Sequence, residues 1–141
     1  MMSNRFAARM GGAALTLMLT LAGGFATASA QDDASAEGER VILRFAGESA
    51  WRVECQLMKD DGDMSRPSAK GRGANSTGSI SAFDVVSGVC DVTAGSRGPL
   101  RVTLDERSGD FKCPFGEPAE GARCEAVYPA SAKAQFEIAL P

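Results

Sequence analysis

The chain patterns as a small, exported, all-β domain. The expected fold is a small antiparallel β-sandwich, immunoglobulin-like or barrel-like, of roughly seven to nine short strands stabilised by disulfides. Three observations predict it. Beyond residue 40, apolar residues recur at every second position, in runs broken by Gly-, Pro- and Asp-rich turns. No stretch after Gln31 carries a helical apolar stripe. All four cysteines lie beyond a leader-like N-terminus, so they read as disulfides of an oxidising compartment.

That leader has three parts. Arg5 and Arg9 form a positive n-region, Ala13 to Leu21 an apolar centre, and Ala28-Ser29-Ala30 the small-residue end that a signal peptidase reads. Residues 1–30 are therefore expected to be a Sec signal peptide, with the mature chain starting at Gln31. Leu21-Ala22-Gly23-Gly24 is not a lipoprotein box, because glycine stands where the lipid-bearing cysteine belongs. The competing reading of the apolar run is an uncleaved membrane anchor. Gly23-Gly24 and the Ala-x-Ala end favour cleavage. The expected product is periplasmic or secreted, with no stable membrane anchor after cleavage. Its Ala, Gly and Arg richness points to a bacterial source.

Residues 31–39 are small and acidic and read as a flexible linker. Residues 40–141 are enough for a single domain with one core. Arg5 and Arg9 leave with the leader, so 13 basic residues face 18 acidic ones and the mature net charge is 13 − 18 = −5. Such a chain has no general attraction to nucleic acid or to anionic lipid. Histidine is absent, which excludes Ser-His and Cys-His mechanisms within this chain.

The strands follow in order. Val41, Leu43 and Phe45 alternate with Ile42, Arg44 and Ala46. Trp51, Val53, Cys55 and Leu57 alternate with polar residues in the cleanest half-buried pattern of the chain. Asp60-Asp61-Gly62-Asp63 reads as a turn. Ser68 to Asn75 reads as an edge strand, guarded by Lys70 and Arg72. Ser79 to Val86 and Gly88 to Ala94 read as two strands. Leu100, Val102 and Leu104 form the next. Phe111 and Cys113 begin a short strand that Pro114 stops. Cys124, Ala126 and Tyr128 form another, and Lys133 to Leu140 the last. The Cys…Trp…Cys order of a true immunoglobulin domain is not met, since Trp51 precedes Cys55.

Four cysteines allow three pairings. Cys55 and Cys90 both sit on apolar strand faces, and Cys113 and Cys124 flank a Pro- and Gly-bearing loop. Pairing Cys55 with Cys90 and Cys113 with Cys124 is favoured. Zinc is disfavoured by the lack of any Cys-x-x-Cys pair. No metal and no cofactor are expected.

Several segments are candidate sites. Cys113 to Cys124 would present Phe115, Glu117, Pro118, Glu120 and Arg123 on a disulfide-closed, preorganised loop. Lys59, Arg66, Lys70 and Arg72 form a basic cluster that suits an anion, with a charged edge strand as the plainer reading. Asp61, Asp63 and Ser65 fall at calcium-loop spacing, but Arg66 and Arg72 stand where glycine and glutamate are needed. A solvated turn explains them better. Trp51, in register with Val53 and Cys55, reads as core. Asn75-Ser76-Thr77 matches a glycosylation acceptor and fits a surface turn.

The expected function is a non-catalytic exported module that binds a protein or cell-envelope component, and no nucleic acid. The alternative is a small secreted protease inhibitor presenting loop 113–124. A carboxylate-based hydrolase comes third, because nothing in the linear sequence selects an acid pair.

Overall fold

A computed structural model of the chain describes residues 38–141. The expected leader (1–30) and all but the end of the expected linker lie outside the described residues. Eight strands run in chain order as β1 (Glu39–Gly47), β2 (Trp51–Lys59), β3 (Met64–Ser65), β4 (Ser68–Gly71), β5 (Ser76–Thr93), β6 (Leu100–Leu104), β7 (Glu125–Tyr128) and β8 (Lys133–Ala139). All pairings are antiparallel, and no helix occurs among the described residues. The all-β, disulfide-stabilised class read from the periodicity is what the chain adopts. The strands belong to one hydrogen-bonded sheet of order β3-β2-β5-β1-β6-β7, with β4 also on β2 and β8 also on β5.

β5 organises the molecule. Its 18 residues exceed the usual strand length, and they serve two sets of neighbours. Ser76 to Val85 pairs with β1, while Val85 to Thr93 lies between β2 and β8. The change occurs at two slips. On β1, Glu39 and Val41 face Val85 and Ala82, and on β2, Met58 and Lys59 face Ser87 and Val85. Each slip adds one residue to β5. One added residue turns the next positions to the opposite face, so the inner-face positions Ala82, Val85 and Gly88 fall three apart. Asp84 occupies the bend at φ 62°, a left-handed conformation that aspartate tolerates better than most residues. Its carbonyl accepts from Asp60 N at 2.9 Å. Gly38 passes so close that a Cβ there would sit 2.2 Å from the Asp84 carbonyl carbon. The two strands expected over 79–86 and 88–94 are thus one bent strand.

The bend lets the apolar faces of both limbs meet. Val41, Leu43 and Phe45 of β1 join Val53 and Leu57 of β2, Val92 of β5, Val102 of β6 and Ile138 of β8 in one buried cluster. Phe45 and Trp51, on strands that are not neighbours in the sheet, have ring centroids 5.4 Å apart. Trp51 is core, as its register predicts. Its Nε1 donates to Ser76 Oγ at 2.8 Å. Gly47, Gly71 and Gly78 leave room for the indole, since a Cβ on any of them would approach the ring within 3 Å.

Cys55 and Cys90 are paired, buried and directly opposite on β2 and β5, with Cα atoms 4.0 Å apart. Cys113 and Cys124 are paired at the partly exposed surface. Two disulfides fit an oxidising extracellular or periplasmic setting.

The strand expected from Phe111 to Cys113 does not form. Phe111 turns in against the core, and Lys112 N makes a single link to Ala139 O at 3.2 Å. Pro114 has no N–H with which to extend a ladder. The two-residue strand β3 was not legible, because Met64-Ser65 is too short to show a period.

Candidate functional site

β1 sends Val41, Leu43 and Phe45 inward, which points Arg40 and Arg44 outward. β6 likewise buries Leu100 and Val102 and exposes Arg101, with Thr103 half-exposed. The outward positions on the first half of β5 are Thr77, Ser79 and Ser81. Register brings these together. Arg44 lies between Ser79 and Thr103, and Ala46 between Thr77 and Arg101. The turn after β6 supplies the fourth guanidinium. Its Ser108 Oγ accepts from Ile42 N at 3.0 Å, and Gly109 N donates to Arg40 O at 2.8 Å. That turn folds back over β1, buries Ile42 on the outer side and sets Arg107 beside Arg44. The result is a groove of about 610 Å³ that holds Arg40, Arg44, Arg101 and Arg107 among serine and threonine hydroxyls. No carboxylate lines it.

Asp105, just beyond β6, anchors two of the four. Its carboxylate is ion-paired with Arg44 Nε, and Arg107 Nε donates to it at 2.9 Å. The Arg107 backbone N–H adds a bond of 3.0 Å. The Arg107 guanidinium, then its backbone N–H, hold the Asp105 carboxyl well below the usual carboxylate range, and Arg44 adds to this. The same hydrogen bond raises Arg107 above the ordinary arginine value. Arg40 donates from Nε and Nη2 to Ser81 Oγ at 3.4 Å and lies 4.9 Å over the Phe83 ring. Neither Arg40 nor Arg101 has a carboxylate within ion-pair distance among the described residues. The arrangement offers an anion two guanidiniums without a carboxylate partner and two that Asp105 holds in place.

The disulfide-closed loop lies next to this face. Pro118 and Arg123 line a second cleft, of about 1040 Å³, which shares Arg44, Thr103 and Arg107 with the groove. Glu117 and Glu120 are exposed. Phe115 is not presented to solvent as a binding residue would be. It packs on the core with its ring 5.0 Å from Phe136. Two tight turns fold the loop back, with Gly116 N to Cys113 O at 3.3 Å and Ala122 N to Ala119 O at 2.7 Å.

The cluster Lys59, Arg66, Lys70 and Arg72 lies on the other limb and is spread out. Lys70 stands opposite Arg52, and Arg72 follows β4. Lys59 is at the far end of β2, about 23 Å along the strand from Arg52. Arg66 lines a shallow pocket together with Glu54 and Asp91, so its neighbours include acids. Asp61 accepts from Asp63 N at 2.9 Å, which closes the turn onto itself. No three acidic or cysteine side chains converge among the described residues.

The arginine face went unseen in the sequence because its members are up to 67 positions apart, from Arg40 to Arg107. The available signal was the outward arginine of two alternating runs, at Arg44 and Arg101. Comparison with family models, with characterised proteins and with solved structures returned no match.

Proposed function

We propose that the chain is an exported, non-catalytic binding module that engages a component of the cell envelope through the arginine face of β5, β1 and β6. One observation carries this reading. An acidic protein gathers four guanidiniums around one groove with no carboxylate in its lining. Exposed like charges repel one another, so such a grouping costs stability unless a ligand uses it. Catalysis is not supported. The chain has no histidine, and the carboxylate bonded into the arginine face, Asp105, is held in its charged form by two arginines and is a weak proton acceptor.

The test is binding of the labelled mature protein to envelope fractions of the source organism. The Arg40→Gln/Arg101→Gln variant is expected to lose binding, and Lys70→Gln/Arg72→Gln to keep it. Equal binding by both variants sinks the reading. A second reading, protease inhibition by loop 113–124, is favoured only by its disulfide closure and exposure. Its inward Phe115 and its two internal turns leave few residues for a protease cleft. Inhibition in a protease panel that is lost on Glu117 or Arg123 substitution would promote it.

A further inference from the structure

We propose that the groove takes a linear acidic polysaccharide, a sugar chain bearing carboxylate, sulfate or phosphate groups. The proposal rests on the binding reading above and specifies its ligand.

The geometry excludes a single small anion as the full occupant. Arg101 lies opposite Ala46, and Ala46 to Arg40 is six residues of extended strand, about 20 Å. Arg44 falls between them, about 13 Å from Arg40 along the same strand. One phosphate reaches at most a neighbouring pair of these groups. A ligand that satisfies Arg40, Arg44 and Arg101 must be extended and must carry several negative charges.

The lining selects among polyanions. Thr77, Ser79, Ser81 and Thr103 alternate with the arginines, and each hydroxyl both donates and accepts. That mixture matches a chain of sugar hydroxyls punctuated by acidic groups. Nucleic acid is the less suitable polyanion. Phe45 is buried, and Phe83, at one end, already lies beneath Arg40, so no free aromatic platform stacks a base inside the groove. A protein partner would want an apolar anchor at the centre of the patch. The centre here is guanidinium and hydroxyl, while the exposed Phe83 and Val127 stand at its margins.

The experiment titrates the mature protein with oligogalacturonate, dextran sulfate, neutral dextran, inorganic phosphate and single-stranded DNA at one fixed salt concentration. Binding of at least one acidic polysaccharide, but not of neutral dextran, is expected. The first two probes tell whether carboxylate or sulfate is preferred. Arg40→Gln and Arg101→Gln should each weaken binding about three- to tenfold, the range of one exposed charge-assisted contact. Both are solvent-facing, and an unchanged Tm checks that the fold is intact. Arg101→Lys, which keeps the charge and loses the fork, should fall between wild type and Arg101→Gln. Lys70→Gln/Arg72→Gln should bind like wild type.

Three results overturn the ligand class. One is neither polysaccharide binding while envelope binding stays arginine-dependent, which leaves the module reading standing. Another is DNA binding more tightly than both. The third is inorganic phosphate displacing the polysaccharide at comparable anion concentration, which marks a single-anion site. Polysaccharide and envelope binding that both ignore the arginine variants overturn the two proposals together.

Discussion

The two limbs of the bent sheet treat their solvent-facing charges in opposite ways. On the limb made by β2, the second half of β5 and β8, acids and bases are interspersed, although Lys70 of β4 faces Arg52. Arg52 Nη2 lies 3.2 Å from Glu54, and Arg66 lines one pocket with Glu54 and Asp91. On the limb made by the first half of β5, β1 and β6, four arginines border one groove, and Asp105 is ion-paired with two of them. Mixed charge keeps a sheet face soluble and discourages mispairing without asking anything of a ligand. Concentrated charge of one sign is a repulsion that Asp105 relieves for Arg44 and Arg107, and an anion would relieve the rest. The difference teaches that net charge misleads at this scale. A chain of net charge −3 still presents a basic groove, because register decides which residues share a face.

The largest expected effect tests whether the limbs are one cooperative unit. Phe45→Ala removes the ring that meets Trp51 across the core, and should cost about 3–5 kcal/mol. Denaturant melts should keep a single transition. Hydrogen exchange should speed up on both β6 and β8. Loss of protection confined to β1 and β6 would mean the limbs fold separately.

The disulfides come next and sit on the two sides of the comparison. By loop entropy, replacing Cys55 and Cys90 by alanine should cost roughly 3.8 kcal/mol, and replacing Cys113 and Cys124 roughly 2.8, both at the upper end of what such bonds contribute. Under mild reductant the partly exposed Cys113–Cys124 bridge should open first, with the domain still folded. Simultaneous reduction, read by peptide mapping, would show that burial in the β2–β5 limb gives no protection.

A smaller effect concerns Asp105. Its carboxyl is lowered in the folded state, so it contributes stability fully above the unfolded carboxylate pKa of about 3.9 and loses that contribution as pH falls through the folded value. Asp105→Asn should therefore be less stable than wild type at pH 7. The gap should narrow as the pH drops below about 4. A gap that stays constant with pH would mean the ion pairs with Arg44 and Arg107 contribute nothing.

The smallest expected effect is on the unpaired arginines. Arg40→Gln/Arg101→Gln should change stability by no more than about 0.5 kcal/mol, with a slight gain from reduced repulsion. A large loss in thermal melts would make these residues structural and remove the contrast between the limbs.

Strand positions and the identity of the core were legible because a half-buried strand writes its two environments into alternate residues. Trp51 to Leu57 and Leu100 to Leu104 show it most clearly. Both disulfides were legible for the same reason: Cys55 and Cys90 lie on apolar faces, and Cys113 and Cys124 flank a loop. Alternation says nothing about which strands are neighbours. The union of 79–86 with 88–94 into β5 depended on two slips and a left-handed Asp84, which local spacing does not encode. The inward turn of Phe115 depended on a partner, Phe136, that is 21 positions away. The arginine groove depended on β5, β1 and β6 lying side by side and on the turn that carries Arg107 back over Ile42. Each strand's inside and outside follow from short-range periodicity in the sequence. Which outsides come together is set by long-range pairing, and only the tertiary structure supplies it.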